Sequence, residues 1–111
     1  MEHHKILKEL NACAALCNIC YYNCLAEEDV KMMSRCIQLD RDCADICLLT
    51  ASYFARGSEN VEKIVALCAD ICLQCAEECE KHHHDHCKKC AIACRTCYDM
   101  CIDKTQWEYA S

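Results

Sequence analysis

Residues 87–101 read CKKCAIACRTCYDMC, and this stretch decides the fold of the whole chain. Its five cysteines are separated by steps of three, four, three and four residues. On an α-helix this alternation places all five side chains along one stripe, like the seam of a heptad repeat. Neither a disulfide framework nor a catalytic pair needs five thiols in one line, whereas a row of metal ligands does. The stretch therefore predicts a helix whose inner face binds metal.

The same rhythm occurs in three earlier segments of the chain. Helices are expected over about 3–26, 30–56, 59–82 and 86–104, separated by short polar breaks. The sixteen cysteines on the four seams are Cys13, Cys17, Cys20, Cys24, Cys36, Cys43, Cys47, Cys68, Cys72, Cys75, Cys79, Cys87, Cys90, Cys94, Cys97 and Cys101. Asp40 stands where a further cysteine would continue the second seam. Its side chain is expected either to turn toward solvent or to accept hydrogen bonds, rather than to bind metal.

The composition favours long helices with short connections. Glycine occurs once and proline is absent from the 111 residues, so tight turns must be few. Gly57 is expected in the left-handed position after the second helix. Four amphipathic segments joined by short connections pack as an antiparallel, up-down-up-down bundle. The sequence thus predicts an all-α fold, with residues 1–111 forming a single four-helix-bundle domain and a cysteine-lined core, because a buried thiol behaves as a small apolar side chain.

Antiparallel packing predicts which side chains share a level along the bundle axis. One level is expected to contain Cys24, Cys36, Cys79 and Cys87. A second level, about 16 Å away at a rise of about 1.5 Å per residue, is expected to contain Cys13, Cys47, Cys68 and Cys101. Beyond the second level, an apolar plug is expected from Ile6, Leu10, Phe54, Val61, Val65 and Trp107. The two ends of the bundle should therefore differ.

The other end carries softer or borderline metal ligands, and it is the expected entrance for ions. The candidate entrance ligands are Met32, Met33, His82, His83 and His86. His83 lies four residues from both Cys79 and Cys87, so its replacement is expected to slow metal loading. The ordinary alternatives stay open, since methionine at a helix end commonly fills gaps and a histidine-rich turn is commonly solvated.

Spacing and charge together favour Cu(I). In each of seven CxxxC pairs, the Cβ atoms should lie roughly 5–6 Å apart on one helix face, so two thiolates can flank one ion. Cu(I) accepts two or three soft ligands, whereas Zn²⁺ requires four, and no pattern in the sequence groups the thiols by four around separate centres. The negative charge of buried thiolates must be neutralised. About one Cu(I) per thiolate would do this, provided that each thiolate bridges neighbouring ions. Many Cu(I) ions per chain are therefore expected, with protonated thiols in the metal-free protein.

The four segments, the CxxxC stripes and the histidine- and methionine-bearing end resemble the bacterial copper storage proteins over roughly residues 6–104. The resemblance implies a bundle that binds many Cu(I) ions through its sixteen cysteines, and a homo-oligomer, commonly a tetramer. It also implies a cytosolic or an exported protein. The N-terminus, MEHHKILKEL, lacks the apolar region of a signal peptide, so a cytoplasmic location is expected. Asp40 departs from an unbroken cysteine ladder and leaves the number of copper sites open.

Copper ions, and a copper-donating or copper-accepting protein, are the expected partners. A net charge of −6 gives no support for nucleic-acid binding, and no apolar run reaches membrane-spanning length. No nucleophile–base pair stands out, so an enzyme is not expected. Three alternatives remain: a metallothionein-like buffer for zinc and other thiolate-binding metals, an iron–sulfur electron-transfer protein, and a bundle braced by disulfides.

Overall fold

Four α-helices build the part of the chain that the computed structural model describes, which is residues 2–103 and Trp107. The helices are α1 (Glu2–Leu25), α2 (Ser34–Ala55), α3 (Val61–Cys79) and α4 (Asp85–Ile102), with a short 3₁₀-helix at Val30–Met33 before α2. Each helix packs against the next along the chain, and α4 packs back against α1. The predicted all-α four-helix bundle with a cysteine-lined core is confirmed.

The bounds of two helices differ from the sequence prediction because their ends tighten into 3₁₀ geometry. Residues 30–33 were expected to open α2, but the Met32 amide donates to the Asp29 carbonyl at 2.9 Å, and the α-helix begins only at Ser34. At the end of α3, the Lys81 and His82 amides donate to carbonyl groups three residues earlier in the chain, instead of four residues earlier as in an α-helix. Such bonds satisfy terminal carbonyls in a narrower turn, which ends the α-helix at Cys79 rather than at 82.

The turn after α2 depends on Gly57. Arg56 is the last residue before the turn, and Gly57 follows with a φ of 65°. The Gly57 amide donates to the Phe54 carbonyl at 3.1 Å, and the Ser58 amide donates to the Tyr53 carbonyl at 3.0 Å. This pair of bonds is a Schellman motif, which needs a left-handed residue at the glycine position. The predicted role of Gly57 is confirmed.

An apolar plug closes one end of the bundle, as predicted. Ile6 and Leu10 are fully buried there, beside the nearly buried Phe54. The Trp107 ring meets Phe54 edge-on, with ring centroids 5.1 Å apart, and its Nε1 donates to the Met100 carbonyl at 2.9 Å. Trp107 thus packs against this end of the bundle. Among the described helices, none combines the length and the apolar character that crossing a bilayer demands.

Replacing Gly57 with alanine should lower the free energy of unfolding by about 1–2 kcal/mol, because an L-side chain is strained in the left-handed conformation. No atom lies within 4 Å of the position that the new Cβ would occupy, so the cost is conformational rather than steric. Urea unfolding of the reduced, metal-free protein measures the loss. Gly57→Asn is the matched control and should lose less, since asparagine tolerates this conformation. Equal stability of the alanine variant and the parent would contradict the assignment.

Candidate metal-binding site

The four cysteine seams meet along the bundle axis and form one column of thiols. All sixteen cysteines are free and buried, with at most 5% of any residue exposed. Neighbouring Sγ atoms lie 3.6–4.0 Å apart: Cys17 and Cys94 at 3.6 Å, Cys43 and Cys72 at 3.7 Å, Cys47 and Cys68 at 4.0 Å. These separations exceed the S–S bond of about 2.0 Å and suit sulfurs that share a metal ion.

Most of the short sulfur contacts join different helices, so the column is a network rather than a set of isolated pairs. Within one helix, Sγ atoms approach to 3.7–3.9 Å in three CxxxC pairs, which are Cys20/Cys24, Cys68/Cys72 and Cys90/Cys94. Between helices, the thiols form overlapping groups of four, such as Cys13, Cys17, Cys43 and Cys94, or Cys17, Cys75, Cys90 and Cys94. Because these groups share members, a bound ion in one group has thiolates in common with the next.

The predicted levels hold at one end of the column and shift at the other. At the outer level, Cys36 faces Cys79 at 3.6 Å, and Cys24 faces Cys87 at 3.9 Å. At the inner level, Cys13 groups with Cys47, as expected, but also with Cys72 and Cys97. Its Sγ contacts Cys43 at 4.0 Å and Cys94 at 3.9 Å, so it lies between the expected level and the thiols one turn nearer the open end.

Asp40 lies inside the thiol column. Its side chain is fully buried, which excludes the expected turn toward solvent and leaves the hydrogen-bonding role. Its Oδ1 accepts from the thiols of Cys75 at 3.4 Å, Cys90 at 3.5 Å and Cys79 at 3.7 Å. Burial, and secondly the neighbouring thiols, raise the pKa of Asp40 to about 11. The carboxyl group therefore stays protonated at neutral pH, and the core avoids an uncompensated charge.

His86 is the histidine that reaches the thiols. Its Nδ1 lies 3.5 Å from the Sγ of Cys20, 3.6 Å from that of Cys87 and 3.8 Å from that of Cys24. On the other side of the ring, Nε2 donates to the Glu27 carboxylate at 2.8 Å. Since a carboxylate can only accept, this bond leaves the Nδ1 lone pair directed at the three thiols. A nitrogen that could bind a metal ion is thereby held at the open end of the column.

The other candidate entrance ligands lie in different surroundings. His82 donates to the buried Glu78 at 2.9 Å. His83 is exposed and lines a surface cavity of about 540 Å³ on the outer side of α3 and α4. Because α3 ends at Cys79, no helical turn brings His83 back to that thiol. Met33 is fully buried, whereas 75% of Met32 is exposed. Metal binding by these four side chains remains a prediction.

Two carboxylates at the open end were missed by the sequence reasoning. Glu27 supports His86, and it also accepts from His84 Nδ1 at 2.9 Å. Glu78 is buried and pairs with Arg35 at 3.4 Å as well as with His82. One signal was present: in an antiparallel bundle, the acidic turn at 27–29 and the histidine-rich turn at 82–86 must lie at the same end.

Comparison with known proteins is consistent with this core. A sequence model described as the copper storage protein family, Csp, matches residues 1–106. The chain belongs to the copper storage protein family. The uncharacterized cysteine-rich protein YhjQ from Bacillus subtilis (strain 168) is 49% identical over 89 residues, which are 80% of this chain and 82% of the relative.

Solved structures of copper storage proteins share the fold. The Cu(I)-bound copper storage protein BsCsp3 from Bacillus subtilis is 41% identical, with a TM-score of 0.88 over 97% of this chain and 100% of that one. A cytosolic copper storage protein from Streptomyces lividans, solved during copper loading with five coppers, is 32% identical. Its TM-score is 0.89 over 99% of this chain and 95% of the other.

In the metal-free copper storage protein, Asp40→Asn should remove part of the pH dependence of stability. The pKa of Asp40 rises from 3.8 to about 11 on folding, so the folded protein keeps a proton that the unfolded chain releases. The stability that this group contributes is complete below about pH 4 and declines as the pH rises toward 11, by at most about 1.4 kcal/mol per pH unit. Urea unfolding between pH 5 and 8 measures the slope of the free energy of unfolding against pH.

The control for this experiment is Asp42→Asn, which changes an exposed carboxylate two residues away on α2. That variant should keep the slope of the parent protein, while Asp40→Asn should flatten it. Parallel slopes in the parent and in Asp40→Asn would show that Asp40 is ionised in the folded protein and would contradict a protonated Asp40.

Proposed function

We propose that this chain stores and buffers Cu(I), holding many ions on thiolates inside the bundle. The observation that carries the proposal is the column of sixteen buried thiols, most of which have another Sγ atom 3.6–4.0 Å away. Thiolate is the soft ligand that selects Cu(I) among the common metals. Overlapping groups of thiols suit ions that share ligands, whereas a protein with separate tetrahedral centres would keep its groups of four apart.

Charge limits the amount of copper. Burial disfavours the charged form of a thiol, as the raised pKa of Cys24 illustrates, and many adjacent buried thiolates would leave their charge uncompensated, so the metal-free core is expected to keep its protons until metal ions replace them. One Cu(I) on two unshared thiolates leaves a net negative charge in an apolar interior, which is costly. One Cu(I) per bridging thiolate leaves no net charge. The full load is therefore about one ion per cysteine, with the exact number depending on how Asp40 interrupts the column.

The two ends of the column give loading a direction. At one end, Ile6, Leu10 and Phe54 exclude ions. At the other, His86 offers a neutral nitrogen ligand that is oriented by Glu27 and lies within 3.5–3.8 Å of three thiols. A ligand weaker than thiolate suits transfer, because an ion that binds there first can move on to the sulfurs. We place the entrance at His86, at the end of the bundle where the buried Met33 closes the short turn before α2.

The setting of this store is the cytoplasm, as for the cytosolic relative from Streptomyces lividans. The protein acts by binding and release rather than by catalysis, and it exchanges copper with donor or acceptor proteins. It forms a homo-oligomer, a tetramer by family resemblance. The exposed apolar side chains Tyr22, Ile92 and Ile102 supply surface for that assembly.

Anaerobic titration of the reduced protein with Cu(I), in competition with a Cu(I) chelator, should saturate near sixteen ions per chain, one for each cysteine. Repeating the titration on protein preloaded with Zn²⁺ separates the copper store from a zinc buffer, because thiolates prefer Cu(I). Copper should displace all of the zinc. Saturation at a few copper ions, or zinc that copper fails to displace, would instead favour the metallothionein-like alternative.

His86→Ala should slow Cu(I) loading several-fold and leave the capacity nearly unchanged, because the sixteen thiolates remain. Stopped-flow mixing with a Cu(I)-chelator complex measures the rate, and metal analysis measures the capacity. His83→Ala is the matched control. Contrary to the expectation from sequence, it should load at the parent rate, since that side chain is exposed on the outer surface. Unchanged loading in His86→Ala, or slowed loading in His83→Ala, would contradict an entrance at His86.

A further inference from the structure

Four metal-ligating atoms form a compact group at the open end of the thiol column. They are the Sγ atoms of Cys20, Cys24 and Cys87 and the Nδ1 atom of His86, all within 4.8 Å of one another. The three sulfur–sulfur distances are 3.7, 3.8 and 3.9 Å. The three sulfur–nitrogen distances are 3.5, 3.6 and 3.8 Å. The six distances are the edges of a nearly regular tetrahedron.

The dimensions of this tetrahedron match those of a zinc centre. With Zn–S bonds of about 2.3 Å and Zn–N bonds of about 2.0–2.1 Å, a tetrahedral site has S···S edges of about 3.8 Å and S···N edges of about 3.6 Å. Three cysteines and one histidine are also one of the common ligand sets of structural zinc sites. An ion bound linearly by two of these thiolates at a similar bond length would require them to separate to about 4.6 Å.

The support around the group is also that of a zinc site. Glu27 accepts from His86 Nε2 at 2.8 Å, which fixes the ring and directs Nδ1 at the sulfurs. A carboxylate on the far nitrogen of a ligating histidine orients it and raises its basicity.

Charge distinguishes this group from the inner groups. Zn²⁺ with three thiolates and a neutral imidazole carries a net charge of −1 at the partly exposed end of the core. Zn²⁺ with four thiolates, as in the inner group of Cys13, Cys17, Cys43 and Cys94, would carry −2 among fully buried side chains. Because buried net charge is costly, the site containing His86 is favoured for a divalent ion.

We propose that the copper-free protein binds one Zn²⁺ per chain at Cys20, Cys24, Cys87 and His86. Binding releases three protons from the three thiols to solvent, and no electron is transferred. The zinc ion closes the open end of the empty store and ties α1 to α4. Cu(I) entering the column displaces it, since thiolates prefer Cu(I). This zinc site rests on its own geometry and does not depend on the amount of copper that the column takes up.

The test is zinc binding by reduced, copper-free protein under anaerobic conditions. Elemental analysis after gel filtration should find one Zn²⁺ per chain, and Co²⁺ in its place should give the absorption of a tetrahedral thiolate site. Competition with a zinc chelator should show affinity about 10- to 100-fold lower in Glu27→Gln, as expected for loss of a supporting carboxylate. His86→Ala should lose still more affinity and should change the cobalt spectrum.

Two matched controls lie beside the varied residues. Glu28→Gln and His83→Ala change exposed neighbours of the same types and should bind Zn²⁺ like the parent. Circular dichroism checks that each variant stays helical. No retained zinc, several zinc ions of equal affinity, or parent-like affinity in both His86→Ala and Glu27→Gln would overturn the zinc site. Copper capacity is measured in parallel: full copper loading without zinc binding overturns only the zinc site, and zinc binding without copper loading overturns only the copper store.

Discussion

Burial of sixteen sulfur atoms in one column is the constraint on which the rest of the structure depends. With neighbouring sulfurs 3.6–4.0 Å apart and almost no water access, the thiols cannot all ionise unless positive charge enters with them. The metal-free core is therefore neutral and protonated, and behaves as ordinary apolar packing. The loaded core stays neutral if each proton is replaced by one Cu(I). The same fold can thus exist in both states, which a store that fills and empties requires.

The remaining features serve this column. The apolar plug around Phe54 and Trp107 closes one end and provides aromatic packing that cysteines cannot supply. Asp40 introduces a polar group in the middle, and its pKa of about 11 keeps it neutral among the thiols. At the open end, Glu27 holds His86 against three thiols. Each feature solves a local problem of charge or access in the column.

The fold could be predicted from sequence because a single periodic signal repeats four times. The 3,4 spacing of the cysteines fixes both the helical period and the buried face, and Gly57 marks one turn. The predicted roles of the apolar plug and Trp107 followed from the same register. The site was less predictable at its open end. There, the tightening of the chain after Cys79 helps to decide which histidine meets the thiols, and it is not encoded in the cysteine spacing. The choice of His86 over His83, and the support from Glu27, needed the three-dimensional structure.

The number of protons released per Cu(I) bound tests the central claim most directly. Anaerobic titration in weakly buffered solution near pH 7, with a pH indicator and a Cu(I) donor of known proton balance, measures the ratio across the whole loading range. Bridging thiolates that keep the core neutral predict about one proton per copper ion up to saturation. A steady ratio of about two protons per copper ion, with saturation near half the cysteine count, would mean isolated two-thiolate sites and would contradict a neutral, shared thiolate core.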